Sequence, residues 1–149
     1  MKKNNFIGKF FTTHSSKETQ KLGYDFAKTL VGGETICLYG DLGSGKTTFT
    51  QGLAEGLGIK ARIISPTFII IRSHKLKKGM FYHVDLYRTE TTNDIGNLGL
   101  EEIINDQQNI VAIEWAEKLK SFLPKNKIEI EFVSEKVNTR KITFRPSNQ

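Results

Sequence analysis

An α/β fold in a single three-layer domain, with a largely parallel sheet, antiparallel edge strands and a C-terminal hairpin, is what this sequence predicts. Three observations predict it. Short apolar runs alternate with segments striped at helical spacing; a glycine-rich loop stands between one such run and one such helix; and the last two strand-like segments alternate in character around Asn138, as a hairpin does. At 149 residues and 38% hydrophobic content the chain holds one good core and is too short for two ordinary domains, so residues 1–149 are read as one domain.

Taken in order, residues 6–13 are rich in aromatic and β-branched side chains and predict a short strand. Ser15, Ser16, Lys17 and Glu18 have capping-box spacing, and Leu22, Phe26 and Leu30 recur at fours on one helical face, with Gly32 and Gly33 as the stop. ETICLYG is a short apolar run ending in glycine, the pattern of a strand buried on both faces. Phe49, Leu53 and Leu57 stripe a helix over residues 47–57 that ends at Gly58. TFIIIRSH and MFYHVDLYR flank the basic turn LKKG and read as paired strands; NIVAIEW is another buried run, and KIEIEFVSE with TRKITF supplies the hairpin.

Charged residues make up 26%, which excludes wholesale disorder, and the net charge of +6 is unevenly spread. Lys and Arg outnumber Asp and Glu by 14 to 6 up to Arg88, and are outnumbered 8 to 10 after it. Lys60, Arg62, Arg72, Lys75, Lys77 and Lys78 lie in a stretch without any acid; such a run faces nucleic acid, an acidic partner, or simply water. The one cysteine, Cys37, excludes an internal disulfide framework and a cysteine-rich metal site, and its place in an apolar strand predicts a core thiol. With no apolar stretch near the ~20 residues a membrane helix needs, and no signal-peptide core in MKKNNFIGKF, a cytoplasmic protein without a membrane partner is expected.

The chemistry concentrates in GDLGSGKTTF. Gly40, Gly45, Lys46 and Thr47 fill the pattern G-x-x-x-x-G-K-S/T in full, with Asp41, Leu42, Gly43 and Ser44 between them and Thr48 following. Glycines at 40, 43 and 45 let the backbone turn its N–H groups inward, making a concave anion site at a helix N-terminus. Lys46 adds a mobile positive charge for β and γ phosphates, and Thr47 a hydroxyl for Mg²⁺. The strand before and the helix after give the loop a P-loop NTPase context. Such a loop needs a carboxylate at the exit of a second buried strand, and IVAIEW places Glu114 there, as a glutamate where many such enzymes use aspartate. Asp85 in YHVDLYR shares a strand face with His83 and Tyr87, and an acid so placed accepts a proton, positions water, or belongs to a plain polar network. NKIE at residues 126–129 has glutamate where the guanine-specifying N-K-x-D has aspartate, and no D-x-x-G follows the loop, so ATP is preferred over GTP.

GDLGSGKTTF, SPTF at residues 65–68, HVDLYR at 83–88 and EWAEK at 114–118 together, in this order and spacing, resemble the bacterial TsaE (YjeE) family over nearly the whole chain. These are small P-loop ATPases of tRNA threonylcarbamoyladenosine (t6A) biosynthesis, the modification of adenosine 37 of tRNA. The resemblance implies ATP held by residues 40–48, Mg²⁺ held by Thr47 and Glu114, and catalytic roles for Lys46, Asp85, Glu114 and Thr67, the last in a switch-like segment that Pro66 helps to extend. It also marks Trp115 as a family signature and the start of the first helix, near Ser15 and Ser16, as an adenine-side candidate. The implied partners are TsaB-like and TsaD-like subunits, with tRNA reached indirectly through that complex. ATP hydrolysis would then act as a switch, slow without the partners, which accounts for a chain with little room for an acceptor pocket. The rival is a small-molecule P-loop kinase. It needs arginines poised over the phosphates, and after residue 89 only Arg140 and Arg145 remain, both in the hairpin. A non-catalytic nucleotide-binding adaptor is the third reading.

Overall fold

The computed structural model describes residues 2–61, 63, 71–89, 95–96 and 98–146. Seven strands form one sheet: β1 (Phe10–Thr13), β2 (Thr35–Tyr39), β3 (Ile71–Lys75), β4 (Met80–Asp85), β5 (Ile110–Glu114), β6 (Ile128–Lys136) and β7 (Thr139–Phe144), in the order β1-β7-β6-β2-β5-β4-β3. The four central strands, β6, β2, β5 and β4, run parallel, while β3 pairs antiparallel with β4, β7 with β6 and β1 with β7. This is the predicted α/β sheet with antiparallel edges and a terminal hairpin, turned at Val137 and Asn138 with Asn138 in the left-handed region at φ 67°.

Helices α1 (Ser16–Ala27) and α2 (Lys46–Gly56) cover one face of the sheet; α3 (Leu100–Asn105) and a 3-10 segment (Ala116–Phe122) cover the other. Strand alternation divides the core accordingly. Ile36, Leu38, Ala112 and Ile130 point to Phe26, Phe49 and Leu53 on the α1 and α2 side, and Cys37, Val111, Ile113 and Val84 point to Leu100, Ala116 and Leu119 on the other. Burial, with Glu129 nearby, pushes the Cys37 thiol up to about 12, as befits a core residue.

Local departures from the sequence reading have local causes. Ser15 caps α1 by accepting from Glu18 N at 3.1 Å, but Glu18 reaches back to His14 N at 2.8 Å, one residue earlier than a capping box requires. The helix ends at Ala27, well before Gly32, because the Thr29 hydroxyl donates to Phe26 O at 2.7 Å and takes a C-terminal carbonyl. Leu30 therefore packs on the same core from beyond the helix. The first strand covers only Phe10–Thr13, preceded by a 3-10 turn at Lys3–Asn5. Lys75, Lys77 and Lys78 are exposed on edge strand β3 and its turn, where lysines discourage pairing with another chain.

Helices α1 and α2 cross so closely that glycine is required at the contact. A Cβ on Gly52 would stand 1.9 Å from Gln20 O, a backbone atom with no freedom to swing away. Gly52→Ala gains about 1 kcal/mol of helix propensity, yet forcing the helices apart costs more, so a net loss of about 2 kcal/mol or more is expected. Thermal unfolding should show it as a melting point lower by about 5 °C.

Candidate functional site

Strands β2, β4 and β5 all end on the same side of the sheet, and the site is built at those carboxyl ends, where open α/β sheets place their ligands. Leaving β2 at Tyr39, the chain turns through Gly40 (φ 150°), Gly43 (φ 79°) and Gly45 (φ 107°) before α2 begins at Lys46. At Gly40 a Cβ would lie 2.6 Å from both Phe132 O and Ser44 Oγ, so the loop tolerates no side chain there. Ser44 is buried, and its hydroxyl has no hydrogen-bond partner among the described residues. With α2's free N–H groups beside it, this is a cradle suited to an anion.

Lys46 lies across the loop. Its Nζ donates to Gly40 O and, at 3.1 Å, to Asp41 O, and it sits 4.3 Å from the Trp115 ring centroid. Burial lowers its pKa, against the opposing pull of Glu114, Glu117, Asp85 and Asp41. A cation held short of its preferred solvation gains most from a phosphate.

Parallel register brings the carboxylates to this cation. Asp85 stands opposite Glu114, which in turn stands opposite Leu38 near the end of β2. Glu114 is 3% exposed and lies under the first turn of α2, where the Thr47 hydroxyl contacts Oε1 at 2.9 Å and Oε2 at 3.1 Å. Asp85 Oδ1 accepts from Tyr87 N at 2.9 Å, which turns the chain out of β4. Tyr87 thus leaves the strand face predicted for it and packs against Trp115, ring centroids 5.0 Å apart. Trp115 itself is left-handed (φ 61°, ψ 40°), an outlier for a bulky aromatic and the kind of strain that gathers at functional sites. Lys118 closes the arrangement by donating to Tyr87 O and, at 3.1 Å, to Thr89 O. The HVDLYR and EWAEK segments are therefore one unit.

A cleft of about 650 Å³ runs over this unit, lined by loop residues including Leu42, Gly43, Gly45, Lys46, Thr47 and Thr48, and by Asp85, Glu114 and Trp115. Ser15, Ser16 and Thr19 of α1 line it too. Thr67 lies outside the described residues. Arg140 is the residue that sequence reasoning missed. Set aside as a hairpin arginine, it reaches back across the sheet and donates from Nη2 to Gly43 O at 3.2 Å. No local signal marks it, because the hairpin's fold onto β2 is a long-range event.

Among the described residues no group of three or more His, Cys, Asp or Glu is arranged to hold a metal by itself. One hydroxyl and one carboxylate suit instead a magnesium ion that keeps waters and shares phosphate oxygens. No helix among the described residues is long and apolar enough to cross a membrane.

The family profile described as threonylcarbamoyl adenosine biosynthesis protein TsaE matches residues 13–142. The tRNA threonylcarbamoyladenosine biosynthesis protein TsaE of Bacillus subtilis is 40% identical over 129 residues, covering 87% of this chain and 78% of that protein. Its counterpart in Aquifex aeolicus is 39% identical over 131 residues, covering 86% of this chain and 89% of that protein. The crystal structure of Bacillus YdiB superposes with a TM-score of 0.79 at 32% identity, covering 94% of this chain and 86% of that one. Sequence, fold and cleft agree: the chain belongs to the TsaE family of threonylcarbamoyladenosine biosynthesis proteins.

Proposed function

We propose that this protein is a Mg²⁺-dependent ATPase that serves as the switch subunit of the complex adding threonylcarbamoyl to tRNA, working with TsaB-like and TsaD-like partners. The observation that carries the reading is the convergence of Lys46, Thr47, Asp85 and Glu114 on one cleft beside the glycine-rich loop. The loop N–H groups and Lys46 would bind the phosphates. Thr47 and Glu114 would hold Mg²⁺, which when bound neutralises charge on the phosphate oxygens. Because Thr47 donates its one hydroxyl proton to Glu114, the oxygen's lone pairs are left for a cation. Asp85, at the rim opposite Glu114, would orient the attacking water or take its proton. Thr67 belongs to the segment proposed to sense the γ phosphate.

The test is to incubate the protein with γ-labelled ATP and Mg²⁺, with and without the TsaB and TsaD pair, and to follow the label. Inorganic phosphate released faster with the pair is the expected result. Label on a small molecule would make the protein a kinase, and no release under either condition would leave only an adaptor.

Arg140 belongs to the same reading, as a clamp that braces the loop and contributes charge to the nucleotide. Hydrogen bonds to charged groups are worth about 1.5–3 kcal/mol, so Arg140→Ala should weaken ATP binding by about tenfold or more. Arg140→Lys should recover part of it, since lysine keeps the charge and loses the fork. Calorimetric titration with ATP checks both, and unchanged affinity in the alanine variant removes Arg140 from the site.

A further inference from the structure

The centre of β4 carries a histidine with no exposed surface, on the sheet face that lies under α2. An apolar residue is the default at such a position, because a buried imidazole must find a partner for its N–H. Register supplies one. His83 stands opposite Ala112 and Asp85 opposite Glu114, so Glu114 is the diagonal neighbour of His83 on β5, and the small Ala112 leaves the ring room to lean toward it. His83 Nε2 meets Glu114 Oε2 at 2.5 Å. His83 Nδ1 is buried without a hydrogen-bond partner among the described residues, which assigns the proton to Nε2, since a bare lone pair is cheaper to leave unmet than an N–H.

We propose that His83 is a positioning residue for the magnesium site: by donating from Nε2 to Glu114 Oε2 it fixes the carboxylate so that Oε1, together with the Thr47 hydroxyl, faces the cation. The inference rests on the reading of Thr47 and Glu114 as the magnesium-holding pair. A carboxylate gripped only by Thr47 is free to rotate about its terminal torsion, and such torsions are broad. With the histidine in place, one oxygen is committed to the sheet and the other to the cleft. Partners of this kind, one step behind a metal-facing group, typically change metal affinity or activity by about 10–100-fold when removed.

Trp115 is the only tryptophan, and its ring stands 4.3 Å from Lys46 Nζ, so its fluorescence reports nucleotide binding without any need for hydrolysis. The experiment measures ATP affinity by this signal, in EDTA and in Mg²⁺, for the wild type, His83→Met and His83→Gln, with thermal unfolding run on each. Methionine fills the space without a donor; glutamine carries an N–H at the reach of Nε2. The expected result is that His83→Met keeps its affinity for ATP in EDTA and loses most of the gain that Mg²⁺ gives, by up to about tenfold, whereas His83→Gln retains the gain. A folded His83→Met variant with the full Mg²⁺-dependent gain overturns the inference and leaves the proposed function standing. Loss of both affinities in Met and Gln variants alike, with lowered melting points, also overturns it, because His83 would then only be filling the core. A wild-type protein with no Mg²⁺-dependent gain is a different failure, that of the magnesium reading itself. Should His83→Met not fold, His83→Gln against His83→Asn decides: asparagine holds its N–H one methylene short of Glu114, so the Mg²⁺ gain should survive in Gln and fall in Asn, and equal gains overturn the proposal.

Discussion

Lys46→Met is expected to weaken ATP binding by about 10²-fold or more while leaving the melting temperature unchanged or raised. The loss of affinity follows from charge: an ammonium facing two phosphates makes charge-assisted hydrogen bonds, each worth about 1.5–3 kcal/mol, and methionine replaces none of them. The effect on stability has the opposite sign. Burial is the largest influence on Lys46 and holds its pKa below the ordinary lysine value of 10.5, so the fold disfavours its charged form. The unfolded chain then binds this proton more tightly than the folded one. Stability contributed by this group rises with pH through the window just below 10.5, and that rise should vanish in the methionine variant. Fluorescence titration of Trp115 and melting curves across pH check both halves. Wild-type affinity in Lys46→Met, or normal tRNA modification in a cell carrying only that variant, would sink the ATP-driven reading.

How much of this site could be read from the sequence depends on the range of the interactions involved. The turn of the glycine-rich loop was legible because its glycine spacing is dictated by a local backbone conformation, and the positive φ values at Gly40, Gly43 and Gly45 follow from that spacing. Glu114 was legible because a buried strand followed by a carboxylate announces its own exit point. The contact of His83 with Glu114 was not, since it needs the parallel register of two strands separated by the whole of α3. The contact of Arg140 with Gly43 was not legible for a similar reason: its neighbours in sequence are the turn of a charged hairpin, and its neighbour in space is the loop 97 positions away. Nothing in the sequence predicts the left-handed backbone of Trp115, which stands where β5 passes into the 3-10 segment at Ala116. The strand boundary at Asp85 and the helix end at Ala27 were shifted by side-chain hydrogen bonds, one that Asp85 accepts from Tyr87 N and one that Thr29 donates to Phe26 O, these being residue types that compete with regular backbone pairing.

The two core halves also explain why so short a chain can hold a loaded polar cluster. Lys46, His83, Thr47 and Glu114 lie between α2 and the sheet, on the face whose apolar packing includes Phe26, Phe49, Leu53 and Phe81. Removing water from this layer strengthens each charge interaction within it, and the same apolar packing fixes the side chains that take part.

Glu114→Gln should slow Mg²⁺-dependent hydrolysis by on the order of 10²-fold while ATP still binds and stability changes little. The carboxylate is 3% exposed and accepts from two donors, the Thr47 hydroxyl and His83 Nε2. An amide of the same shape has one acceptor and one donor end. Facing His83, an N–H donor, the carbonyl end is the only compatible choice, so the NH₂ end turns toward Thr47. The threonine hydroxyl must then accept where it formerly donated, and the lone pair that would have faced a cation is spent on the amide. Stability changes little, because the desolvation of the carboxylate is relieved while its offset of the buried Lys46 charge is lost, and the amide keeps hydrogen bonds to both neighbours. Glu114→Ala differs on this second point: it strands the His83 N–H in the core, at a cost of about 1–3 kcal/mol, and should lower the melting point as well as the rate. Single-turnover phosphate release with Mg²⁺, read beside thermal unfolding of both variants, separates the two effects. Hydrolysis at the wild-type rate in the glutamine variant would take Glu114 out of the magnesium site and leave it a structural acid that joins α2 to the sheet.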